Sequence, residues 1–305
     1  MYSARECLSQ PLLDVGETDL DRAARVTYVL RQQFRYDYDG PAYDLEQRLV
    51  AIPPARHGAM RRRLHSVDVS APGARTTSRR DRHGNLVVRV RLDIVPESVV
   101  FTVSAVVERG GPVTDARVPV SALTDPRHLR PTRLTAADPA LRALAAELRA
   151  AAADDLDFAD RCCATVRESV AYEFGRTSVS TTAAQAYALG RGVCQDQAHV
   201  MLALCRAAGV PARYVSGHLL GEGGSHAWVE VIVPDGTAAR AVAMDPCNGC
   251  RAGGRHIPVA VGRDYRDVPP TSGTYSGAAG GRLTSSKRAG VTSAHWIDSD
   301  LAATG

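Results

Sequence analysis

In the stretch Gly190 to His199, GRGVCQDQAH, a cysteine stands between a glycine-rich turn and the start of an apolar helix. Cysteine attacks as the thiolate, and a free thiol of pKa ~8.5 is mostly protonated at neutral pH. A helix N-terminus favours the thiolate through its partial positive charge, and a histidine partner favours it further as a thiolate-imidazolium pair. Cys194 meets the first condition. Ala198, Met201, Leu202 and Cys205 make a stripe at helical spacing after it, Gly209 supplies the stop and Pro211 prevents continuation. His226 in GEGGSHAWVEV is the candidate for the second condition, at the mouth of a strand after a glycine turn, with Trp228 two residues on along the same face. A histidine acting as base needs its other ring nitrogen held by an acceptor. Asp245 closes the apolar run AVAMDP just before Pro246, so its carboxylate emerges at the end of a neighbouring strand. Taken singly these are weak signals: a lone cysteine in an apolar helix is core more often than nucleophile, and a lone histidine at a strand start is usually structural. Together, Cys194, His226 and Asp245 make a nucleophile, a general base and an orienting carboxylate.

Other residues near this trio have readings of their own. The backbone N–H of Cys194 is a natural oxyanion donor, and a side-chain amide from Gln185 or Gln195 is a candidate second donor. Asp196 reads as an acceptor capping the first helical turn. His199, five residues into the helix, points away from the thiol and reads as structural. The pair Cys162-Cys163 falls on the inner face of a helix and reads as core packing. Cys247-Asn-Gly-Cys250 leaves three readings open: two free thiols in a turn, a regulatory disulfide, or a metal site with His256 nearby. Zinc wants four ligands, no second CxxC exists, and no acidic loop suits calcium, so neither a metal nor a cofactor is expected.

The elements needed to hold these residues can be read from periodicity. Residues 1–24 look like a loose leader. From 25 to 111 the period is two: Tyr28 to Tyr38, Leu86 to Ile94 and Val99 to Val107 alternate, with turns at Asp39-Gly40-Pro41 and His83-Gly84-Asn85. An antiparallel β domain follows, either a sandwich or a small barrel. Residues 112–137 read as a linker. Asp138 then caps a helix with Pro139 at its first position, a second helix runs over about 155–170, and strand-like runs follow the Cys194 helix. A catalytic domain over 138–277 and a Gly/Ser/Thr-rich tail over 278–305, expected to be largely irregular, complete the division.

Four motifs, GRGVCQDQAHVMLALCRAAGVPARYVSG, SHAWVEV, MDPCNG and DYRDVPP, together resemble the bacterial transglutaminase-like proteins, densely so from Tyr172 to Gly277. The upstream TYVLRQQFRYDYDGPAYDLEQRLVAIPP resembles the β-rich N-terminal domain that accompanies them. One departure is DPCNG, where such proteins commonly carry DPTNG. The resemblance implies an α+β protein, with the β domain followed by a papain-like core of helices packed on an antiparallel sheet. It implies Cys194 as nucleophile, His226 as general base then acid, and Asp245 as its carboxylate, and it needs no cofactor.

Composition narrows the remaining classes. With 305 residues, 45% hydrophobic and 23% charged, the chain is long enough for two globular domains. The net charge of +4 rests on arginine, since Lys287 is the sole lysine, and only Arg61 to Arg63 and Arg79, Arg80, Arg82 cluster. That pattern suits solvated strand edges better than nucleic acid. No run has the length of a signal peptide or a membrane span, and seven cysteines fit reduced thiols, so a cytoplasmic protein is the expectation. The expected activity is hydrolysis of a peptide, isopeptide or small amide through an acyl-thioester on Cys194. Transfer to an amine, which Glu222 or Glu230 could attract, is the alternative, and a catalytically silent binding module is a third reading. The sequence leaves the oligomeric state open.

Overall fold

The computed structural model describes residues 8, 10–16, 18–221, 225–277 and 280–296. Besides a two-residue strand at Arg56–His57, the described chain opens with β1 (Arg25–Tyr38), β2 (Ala42–Ile52), β3 (Met60–Val69), β4 (Arg75–Arg80), β5 (Leu86–Val95) and β6 (Ser98–Gly110). β6 lies between β1 and β3 in one antiparallel sheet, and β5 lies between β2 and β4 in another. The alternation explains how they meet. Phe34, Val99, Phe101 and Val103 of the first sheet are buried against Leu45, Leu49, Val88, Val90 and Leu92 of the second, which makes the domain a sandwich.

The segment expected to be a linker does more than connect. Ala116–Val118, β7, pairs with residues 239–241 of the second half of the chain, and a capped helical turn follows at 126–129. Four helices come next: α1 (Pro139–Ala151), α2 (Asp155–Ser169), α3 (Ala183–Leu189) and α4 (Cys194–Ala207). α1 starts as its sequence requires, with Pro139 at the first position and Asp138 Oδ1 accepting the Leu141 N–H at 2.9 Å.

The second sheet system comprises β8 (Ala212–Leu219), β9 (His226–Asp235), β10 (Ala238–Asp245), β11 (Cys250–Arg251) and β12 (His256–Gly262), in the order β11-β10-β9-β8-β12, all antiparallel. One face is covered by helices: Ala198, Met201, Leu202 and Cys205 of α4 share a core with Ala227, Val229 and Val231 of β9. The residues between them on β9, Trp228 and Glu230, face the other way and are buried as well. The sandwich lies on that side, where Tyr28, Leu30 and Val107 pack with Leu220 and Ile257. The result is an α+β molecule in which the second sheet system is covered on both faces.

Two expectations about the ends of the chain need correction. Gly281–His295 is not an irregular tail: it forms β14, paired with β1 along its length, after β13 (Thr271–Ser276) has paired with β2. Edge pairing draws on backbone N–H and C=O groups, so a segment rich in Gly, Ser and Thr can join a sheet with little side-chain burial. Near the other end, Leu20 and Ala23 are fully buried with Tyr28 and Val291, so the described leader residues next to β1 are packed.

Candidate active site

The position of Cys194 is set by the turn before it. Gly190 adopts φ +65° and ends α3, and Gly192 lies so close to Asp196 that a Cβ there would come within 2.7 Å of that side chain. Asp196 Oδ2 accepts the Val193 N–H at 2.8 Å and the Thr177 hydroxyl at 2.6 Å, which caps α4. Cys194 therefore occupies the first position of α4, half-buried, where the N–H groups lack intrahelical acceptors and the helix field is positive.

His226 starts β9 and is joined on both sides. Its Nε2 donates to Asp245 Oδ2 at 2.8 Å, so its hydrogen bond with the Cys194 sulfur runs through Nδ1. Burial pulls the ring pKa down, but the hydrogen bonds and charges of Asp245 and Cys194 outweigh it and raise it to about 10. The imidazolium is thus the favoured form beside the sulfur at neutral pH.

Asp245 is fully buried at the end of β10. Burial would raise its pKa, yet donors from His226, His256 and Asn248 hold it well below the usual carboxylate range. Oδ2 accepts from His226 Nε2, from His256 Nε2 at 2.9 Å and from Asn248 Nδ2 at 2.7 Å. Oδ1 accepts the backbone N–H groups of Cys247 and Asn248 at 3.0 and 3.3 Å. Trp228 lies against both imidazoles, 6.1 Å from the His226 ring and edge-on to His256 at 5.3 Å.

His226, Asp245 and His256 offer ligand atoms within 4.8 Å of one another, the spacing of a three-ligand metal site. The donor chemistry argues otherwise. His256 Nδ1 faces the Gly253 N–H at 3.1 Å and must accept from it, so the proton sits on Nε2, the atom a metal would need bare.

With this geometry in place, comparison with known proteins is informative. Residues 28–108 match the profile of the bacterial transglutaminase-like N-terminal region, and residues 142–246 match that of the transglutaminase-like superfamily. The chain belongs to the transglutaminase-like superfamily. An uncharacterized protein of Mycobacterium leprae is 40% identical over 121 residues, covering 36% of this chain and 42% of that protein. An uncharacterized protein of Mycobacterium tuberculosis is 37% identical over 114 residues, covering 33% and 36%. The match thus spans about two fifths of these relatives' length. A solved structure of a candidate cysteine protease from Cytophaga hutchinsonii shares the fold, with TM-score 0.71 and 21% identity over 90% of this chain and 95% of that one.

Around this transglutaminase-like trio the other anticipated residues disperse. Gln185 is exposed, and its Oε1 accepts the Thr182 N–H at 3.0 Å in the capping box of α3, which ties the amide oxygen to that helix start. Gln195 is half-buried and follows Cys194 in the first turn of α4. His199 is fully buried, its Nε2 accepts the Tyr265 N–H at 3.2 Å, and burial lowers its pKa to about 4, which leaves it neutral and structural. Glu230 is a correction. Its carboxylate is 1% exposed and held by Arg213 at 2.7 Å and His57 at 2.5 Å, so no amine can reach it. Glu222 lies outside the described residues. Cys162 and Cys163 are core residues, Cys247 is buried in the turn after β10 and Cys250 is exposed at the start of β11. His256 turns to Asp245 rather than to those thiols; that role was missed because it lies eleven residues further on, beyond a turn.

Proposed function

We propose that this protein is a transglutaminase-like cysteine hydrolase that opens a peptide, isopeptide or side-chain amide through an acyl-thioester on Cys194. The observation that carries the reading is His226 bonded to the Cys194 sulfur on one side and to a buried, ionised Asp245 on the other. The thiolate adds to the amide carbonyl, and the oxyanion forms beside the first-turn N–H groups of α4, with the Gln195 amide as candidate second donor. The His226 imidazolium gives its Nδ1 proton to the departing nitrogen, the C–N bond breaks and the thioester remains. Neutral His226 then takes a proton from water as it attacks the thioester, and collapse releases the acid and restores the thiolate-imidazolium pair. An amine in place of water would make the protein an acyltransferase. The burial and pairing of Glu230 remove one group that could have held such an amine, which favours water.

Alkylation of Cys194 by iodoacetamide across pH, with the labelled cysteine located by peptide mass mapping, tests the reading. Fast labelling of Cys194 well below pH ~8.5, lost in His226→Ala, is expected. Slow labelling that ignores the substitution would leave a binding module as the better account. Turnover of amides with and without added amines then separates hydrolysis from transfer.

A further inference from the structure

We infer that His256 is a positioning residue for the proposed reaction, whose Nε2–H holds the Asp245 carboxylate in place whatever the charge on His226. The inference rests on the catalytic reading of Cys194, His226 and Asp245. In that cycle His226 alternates between cation and neutral ring, exchanging its proton through Nδ1, while Nε2–H stays directed at Asp245. The attraction between ring and carboxylate therefore rises and falls at each step. A carboxylate held by His226 alone would be free to turn when the ring is neutral.

Asp245 is not held that way. Its Oδ2 also takes His256 Nε2 at 2.9 Å and Asn248 Nδ2 at 2.7 Å. A backbone N–H can only donate, so the 3.1 Å approach of the Gly253 N–H to His256 Nδ1 fixes the Nε2–H tautomer. His256 is 7% exposed, and Trp228 meets its face edge-on at an interplanar angle of 79°, which limits rotation away from the carboxylate.

The turn that sets this tautomer is itself clamped from the N-terminal part of the chain. Asp21 Oδ1 accepts the Gly254 N–H, and the Tyr28 hydroxyl donates to the Gly254 carbonyl at 2.7 Å. A Cβ on Gly253 would lie 2.6 Å from the Asp21 carboxylate, so glycine is needed there for the approach. Asp21 of the leader and the first sandwich strand thus reach the Asp245 carboxylate through one turn and one imidazole.

The test compares His256→Phe, which keeps a ring beside Trp228 but removes the donor, with His256→Gln, whose amide can donate from the place of Nε2. Cys194 alkylation by iodoacetamide at pH 7 is read alongside thermal unfolding, and the His256 tautomer is read in the wild type by long-range proton-nitrogen correlation. The expected result is an Nε2–H His256, a loss of roughly tenfold or more in His256→Phe, and recovery of most of that loss in His256→Gln. Fast, His226-dependent labelling that is unchanged in His256→Phe, or equal losses in both variants, overturns this inference alone. Slow labelling of the wild type that ignores His226 overturns the catalytic reading and this inference with it. An Nδ1–H His256 tautomer overturns the inference even where a variant fails to fold.

Discussion

Asp245 accepts five hydrogen bonds in a site with no exposed surface, and every group facing it is a donor. Asparagine is close in shape but brings two donor hydrogens of its own. In one orientation its NH2 meets His226, His256 and Asn248; flipped, it meets two backbone N–H groups. Asp245→Asn is therefore expected to lose about 3 kcal/mol of stability in urea unfolding, as buried donors are left unpaired, together with the fast labelling of Cys194. Glu230 makes a different prediction, about acid. Burial alone would raise its carboxyl, but Arg213 and His57 outweigh this and lower it from 4.5 to about 2. The native state then binds this proton less readily than the unfolded chain, so the stability it confers is complete above pH 4.5 and lost as pH falls towards about 2. Glu230→Gln should show a lower melting temperature at pH 7 and a flatter decline between those pH values; an unchanged acid profile would mean that the cluster is not ion-paired.

The elements that carry the site depend on close approaches that only glycine allows. Gly217 of β8 lies opposite His226, and a Cβ there would stand 2.4 Å from both the Trp228 ring and the Ile257 carbonyl. The carbonyl belongs to a paired strand and cannot move, so Trp228 would have to give way, and both site imidazoles lean on it. Gly217→Ala is expected to cost about 1–3 kcal/mol by overpacking and to slow Cys194 labelling, both measurable in the same preparation. Such contacts mark the limit of what was legible in the sequence. Alternation in β5 and β6, the Asp138-Pro139 start of α1 and the placing of Cys194 at a helix start were legible because they rest on neighbours in the chain. His256 was not, because its carboxylate partner lies across a turn and its tautomer is set by a backbone N–H. Glu230 was read as a group that could attract an amine because its partner His57, in the sandwich, is 173 residues away. β14 escaped notice because an edge strand held by backbone pairing needs little hydrophobic pattern.

At the scale of the molecule, the return of the chain to the sandwich has a mechanical consequence. β13 adds to one sandwich sheet through β2, and β14 adds to the other through β1, so residues 116–262, including the whole catalytic sheet, lie in sequence between strands of the same sandwich. Contacts cross between the two parts: His57 reaches Glu230, Tyr28 reaches Gly254, and Tyr28, Leu30 and Val107 bury Ile257. Unfolding the catalytic sheet would expose that shared apolar surface and strand the Glu230 charge cluster, while freeing β14 would leave one side of β1 unpaired along its length. Neither part can then open without destabilising the other, and one cooperative transition is expected. Trp228, in the catalytic sheet, and Trp296 are the only tryptophans, so Trp296→Phe leaves fluorescence as a probe of the catalytic sheet alone. In urea, its midpoint should coincide with that for hydrogen exchange of the β1 and β6 amides in the sandwich. Separate midpoints would mean that the sandwich folds on its own and that the crossing contacts are too weak to couple the two parts.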